Sequence, residues 1–223
     1  MGKAEFRAFN TAYMFEHQKF EIEIVRQVDP RKLRWPAKDE TGPDSGLGCN
    51  REYEDFTGRS WSDAQTVLDT ERGLISKIEA IYWDLDEEAR EAELLEAEMY
   101  LDALDLGVAA TVNALSAAKC IPFSSCNAGA FGGMHHERYP LVAFHAVRST
   151  VKLIMSAAEQ ADVGIYGGEF LVVYTDEIRK LSLFAQSLID RAPQFDALRT
   201  TPEKKRPALR RRRNDGQQVL PFE

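Results

Sequence analysis

A chain of 223 residues, 44% of them hydrophobic, is long enough to bury one core of ordinary size, and it suits one domain with appendages better than two. Its three cysteines, Cys49, Cys120 and Cys126, are an odd set without framework spacing, which excludes a disulfide-stapled secreted scaffold and points to a reducing cytoplasm. Charged residues interrupt every apolar stretch before it reaches the roughly 18 residues of a membrane span, and the opening Met-Gly-Lys-Ala-Glu-Phe-Arg has no signal-peptide core, so a cytoplasmic protein without a membrane partner is expected.

The net charge of -8 is unevenly spread. Residues 84–105 carry Asp84, Asp86, Glu87, Glu88, Glu91, Glu93, Glu96, Glu98, Asp102 and Asp105 against Arg90 alone. Lys204, Lys205, Arg206 and Arg210, Arg211, Arg212 and Arg213 crowd the other end. A body of this sign repels phosphate, so nucleic acid is not expected as its partner; the basic run suits an acidic partner, nucleic acid or the chain's own acidic helix, unless it serves only solubility.

Phe20, Ile22 and Ile24 alternate with charged residues, the period of a half-buried strand over 20–28, ended by Asp29-Pro30. Gly, Pro, Asp, Glu and Ser dominate 36–60, a long loop or linker that carries Cys49. Residues 1–60 thus read as a strand with an irregular extension. After Trp61, the residues Val67, Leu68, Ile75, Ile78, Ile81 and Tyr82 recur at helical offsets. From 86 to 118 a run rich in Glu, Ala and Leu predicts a long acidic helix, with Leu94, Leu95, Met99, Leu101, Leu104, Val108, Val112 and Leu115 as its apolar stripe, its carboxylates as a solvated face, and Gly107 as a bend or break.

Downstream the pattern shortens. Strands are predicted over 121–125 and 141–145 around a Gly-rich loop, followed by a helix capped by Ser149 or Thr150 that displays Val151, Ile154, Met155 and Ala158. A second strand pair follows over 164–174, turning at Gly167-Gly168, and then a helix carrying Ile178, Leu181, Phe184, Ala185, Leu188 and Ile189. The order helix, strand, strand, helix, strand, strand, helix predicts an α+β fold over 61–192, a two-layer sandwich with an antiparallel sheet, helices packed on one face and the long acidic helix in front. Falling apolar density over 193–223 predicts a disordered basic tail.

Chemistry concentrates between 120 and 145, where two of the three cysteines and three of the four histidines fall. Cys126 is a candidate nucleophile, with His135 or His136 as base and Glu137 or Asp162 to orient the imidazole. The same loop suits a small-molecule or peptide ligand: Gly129, Gly132 and Gly133 allow close backbone approach, Ser124, Ser125 and Asn127 offer polar partners, and His135, His136 and Arg138 suit an anionic group. Zinc on Cys120, Cys126, His135 and His136 is disfavoured, because Cys-x5-Cys is wider than structural zinc spacing and adjacent histidines diverge on an extended chain; no metal or cofactor is expected. No Gly-Lys-Ser/Thr follows the glycines, so the loop is not a P-loop. The competing structural reading makes both cysteines small buried residues and the glycines a turn. His145, beside Phe144 on an apolar strand, reads as a sheet histidine.

Ser124-Ser125-Cys126-Asn127-Ala128-Gly129 partly resembles the Ser-Ser-Cys-x-Gly arrangement of the wyosine-tRNA methyltransferase family. The arginine that follows the glycine in that family is missing here, and the acidic body has the wrong charge for tRNA, so that activity is not carried over. At the C-terminus, Gln217-Gln218-Val219-Leu220-Pro221-Phe222 is similar to the short bacterial peptides that dock in the sliding-clamp pocket, with Gln218, Leu220 and Phe222 as anchors. Two expectations result: a bacterial-type cytoplasmic protein with a ligand-binding loop at 126–137, enzymatic if Cys126 is a reactive thiol, or a non-enzymatic interaction module recruited through its C-terminal peptide.

Overall fold

The computed structural model describes residues 19–37, 56–132 and 137–200. Cys49, Gly133, His135, His136, Gln218, Leu220 and Phe222 lie outside the described residues. The elements run β1 (Arg26–Val28), α1 (Trp61–Ile81), a 3-10 turn (Tyr82–Asp84), α2 (Glu87–Met99), α3 (Ala109–Ala117), β2 (Ile121–Cys126), β3 (Leu141–His145), α4 (Val151–Gln160), β4 (Gly164–Gly167), β5 (Leu171–Tyr174), α5 (Arg179–Ile189) and α6 (Ala192–Thr200).

Five strands form one sheet in the order β1-β4-β5-β3-β2. The pairs β2/β3, β3/β5 and β5/β4 are antiparallel, as the strand-strand-helix pattern implies. The expectation of a wholly antiparallel sheet is corrected at one edge: β1 runs parallel to β4, with Arg26 opposite Ile165, so the α+β fold has a mixed sheet. A parallel pair has no hairpin to announce it, and its partners here stand 139 positions apart in the chain.

The strand expected over 20–28 is shorter than its periodicity. Phe20, Ile22 and Ile24 are half-buried and Glu21 and Glu23 exposed, as alternation requires, yet only Arg26–Val28 joins the sheet. Residues 19–25 instead form a strap across one face, where Ile22 and Ile24 pack on Leu141, Ala143, Val172 and Tyr174. The pleat sends Val142, Phe144, Ile165, Leu171 and Val173 to the opposite face, into the main core with the helices.

The long acidic helix does not run unbroken from 86 to 118. Asp86 caps α2, its side chain accepting from Ala89 N, and α2 stops at Met99. Asp102 and Ala103 take positive φ (55° and 56°), and Gly107 follows at 97°. Leu101, Leu104 and Leu106 turn inward through this linker, and α3, unlike α2, is buried along its whole length. Gly107, expected as a bend or break, lies inside this linker, and one straight helix would carry those three leucines out of the core.

α1 begins on a reciprocal cap: Asp63 N donates to Ser60 Oγ (3.1 Å) and Ser60 N donates to Asp63 Oδ2 (2.8 Å). Its buried stripe, Ala64, Leu68, Glu71, Ile75 and Ile78, keeps strict helical phase and includes a carboxylate. Residues 193–200, expected to begin the disordered tail, belong instead to α6, whose buried Phe195 packs on Trp61 at 5.5 Å. Among the described residues no helix is long and apolar enough to cross a membrane.

Candidate functional site

Cys126 ends β2, an edge strand, and its register fixes its surroundings. Cys126 lies opposite Leu141, Leu141 opposite Tyr174, and Tyr174 opposite Gly164, one row across four strands. Opposed residues share a face, so Cys126 belongs to the strap side of the sheet with Leu141 and Tyr174, and Ser124, opposite Ala143, joins them. Ser124 is exposed, Ser125 half-buried and directed by its pairing with Val142 to the helix side.

The turn after β2 is fastened rather than loose. Asn127 is buried; its backbone N–H donates to Asp105 Oδ2 (3.1 Å), its Nδ2 to the Leu106 carbonyl (3.1 Å), and its Oδ1 accepts from Gly129 N (3.0 Å). Ala128 and Gly129 occupy the left-handed region (φ 55° and 73°), as does Gly132 (φ 113°), while Ala130 and Phe131 drop into the core. Ala128 N donates to the Cys126 sulfur at 3.3 Å. The polar side chain read from sequence as a ligand partner, Asn127, is thus spent on anchoring this turn to the α2–α3 linker.

The two described cysteines differ sharply. Cys120 is buried, and burial pushes its thiol up to about 12, out of reach of neutral-pH thiolate chemistry. Cys126 is half-exposed. Beyond the loop, Glu137 and Arg138 are exposed at its return. Asp162 does not accompany them: it sits at the start of β4, three strand spacings or about 14 Å from β2, and holds Arg26 (2.7 Å) and Lys180 (2.8 Å). That pairing lowers its carboxyl below the usual range.

Two features of this end of the sheet were not legible as site residues. The first is a row of tyrosines, with Tyr139 5.4 Å and Tyr166 5.5 Å from the Tyr174 ring. Partial burial, then a hydrogen bond with Tyr139, pushes the Tyr166 phenol up to about 12, and the charge of Glu137 acts in the same direction. The second is Glu98, whose carboxyl is raised to about 7 by burial and by the negative charge of Asp105, the residue that holds Asn127. Glu98 had read as one more member of a solvated face; its half-burial follows from the turn after α2, and only its phase on that helix hinted at it.

His145 is buried between Phe123 (5.1 Å) and Phe170 (6.0 Å), with Nδ1 3.2 Å from the Arg34 carbonyl, a sheet histidine locked in place. Among the described residues no cluster of three or more His, Cys, Asp or Glu side chains could hold a metal ion. No family model matches the chain, and neither the curated proteins nor the solved structures contain a match to it.

Proposed function

We propose that the protein binds a small-molecule or peptide ligand at the rim where β2 ends, with Cys126 as its reactive group. The observation that carries this is the contrast between the two described thiols: Cys120 sealed in the core, Cys126 half-exposed at the mouth of a turn whose backbone is fixed in an unusual conformation. Ala128 and Gly129, left-handed and fastened through the Gly129 N–H to Asn127, supply a preformed backbone surface, and a preformed site spares a ligand the cost of ordering it. Ser124 shares the strand and the face of Cys126, Glu137 and Arg138 are exposed where the loop returns, and Tyr174 stands two strands away in the same row with Tyr139 against its ring.

Brief iodoacetamide treatment of the folded protein, followed by peptide mapping, tests the thiol. Cys126 is expected to be alkylated well before Cys120, and a ligand found by thermal-shift screening should protect it. A Cys126 that resists alkylation as Cys120 does would remove the reactive group from this reading.

A further inference from the structure

α2 is an unusual helix. Among its thirteen residues only Ala97 is buried, too little to hold so short a helix through its inner face alone. Its outer face carries Ala92, Leu95 and Met99 at spacings of three and four, all exposed, with Leu95 57% and Met99 82% accessible and Tyr100 just beyond at 64%. Spacings of this kind mark a seam meant for a partner. Glu88, Glu91 and Glu96 flank it, all exposed. Next to the seam, between α1 and α2, a cleft of about 170 Å³ is lined by Leu74, Lys77, Ile78, Glu93, Glu96 and Tyr100.

We infer that this face of α2 is the docking site of the chain's own basic C-terminal segment, 201–223. Charge selects the occupant. The stretch 84–105 carries ten carboxylates and one arginine, while 204–213 carries seven cations and no carboxylate. A second copy of α2 would set glutamates against glutamates, so self-pairing through this face is opposed. Position agrees with charge. The Trp61–Phe195 contact seats α6 at the start of α1, and the Arg59–Asp102 ion pair (2.6 Å) brings the turn after α2 to the same end. The segment therefore leaves from the end of α1 to which Asp102 ties the turn after α2. α2 is about 20 Å long, and the ten to thirteen residues from the end of α6 to Arg210–Arg213 can span roughly 30 to 40 Å. Leu209, Val219, Leu220 and Phe222 are the apolar side chains available for the seam and cleft. Tethering raises the effective concentration of the segment to the millimolar range, enough for a modest interface to be occupied.

Hydrogen exchange of the full-length protein tests this. Reversing the four arginines (R210E, R211E, R212E, R213E) is expected to speed amide exchange in α2 by about tenfold, the factor that corresponds to 1.4 kcal/mol, with α3 and α5 unchanged. Reversing Glu88, Glu91 and Glu96 to arginine in the same chain should restore the slow rate, a rescue that a merely destabilised helix would not show. Exchange in α2 that ignores the arginine reversal would overturn the proposal, and so would protection that grows with protein concentration, which would assign the face to a second copy.

Discussion

The ring of Tyr174 lies across the backbone of Gly164, in the space that a β-carbon at position 164 would occupy. Its hydroxyl reaches past β4 to the strap, donating to the Glu23 carbonyl (2.8 Å) and accepting from Val25 N (2.9 Å). One glycine thus lets one tyrosine pin residues 19–25 over the strap face of the sheet.

Gly164→Ala should for this reason cost about 1–3 kcal/mol, the range for overpacking a filled site, although alanine is the better residue in most strands. Urea unfolding measures the loss, and proteolysis near residues 19–25 should become faster. Tyr174→Phe, which keeps the ring and deletes the hydroxyl, should cost about 1 kcal/mol and also loosen the strap. Undiminished stability in Gly164→Ala would mean that the ring can move aside freely.

Glu71 predicts an unusual pH dependence. It is fully buried, and its carboxylate accepts from Gly107 N (3.0 Å) and Ala109 N (2.9 Å), with Ala110 N at 3.4 Å, taking up the free N–H groups at the start of α3. Those donors favour the ionised form, but burial outweighs them and raises the carboxyl to about 7; the Ser182 hydroxyl eases ionisation slightly while making no hydrogen bond of ordinary geometry. Between about pH 4.5 and 7 the folded state keeps a proton that the unfolded chain has released, so stability falls as pH rises through that window. The ceiling on this loss is about 3 kcal/mol. Glu98, raised to about 7 as well, acts in the same window and direction. The difference between wild type and Glu71→Gln isolates Glu71: the variant should be the less stable at pH 5, and the gap should narrow by pH 8. A gap that widens with pH would show that the N–H groups win over burial.

Asn127→Ala should strand the Leu106 carbonyl and Gly129 N–H, costing about 1–3 kcal/mol. Because the turn it holds begins next to Cys126, alkylation of Cys126 should change in rate more than that of Cys120. Equal changes at both would indicate general unfolding rather than a local loosening of the turn.

Much of the framework was legible locally. The strands β3 and β5 and the helices α4 and α5 announce themselves in Leu141–His145, Leu171–Tyr174, Val151–Gln160 and Arg179–Ile189, because their apolar period is the imprint of the surface they bury. The alternation of Phe20, Ile22 and Ile24 is equally true to their burial, but periodicity records which side chains are covered and not which backbone groups are paired, so an extended strap looked like a strand. The break at 100–108 was legible only at Gly107; what ends α2 already at Met99 is the inward pull on Leu101, Leu104 and Leu106, and what starts α3 is a carboxylate 36 positions earlier in the chain.

The sequence by itself determined the class of fold, most of its elements, and the sharp division of charge between 84–105 and 204–213. Tertiary structure alone decided that β1 runs parallel to β4, that Cys126 shares a face with Tyr174 while Cys120 is sealed away, and that Glu71 and Glu98 leave the ordinary carboxylate range. Pattern and composition are properties of neighbours along the chain, whereas register, solvent access and proton affinity depend on groups brought close only when the chain folds.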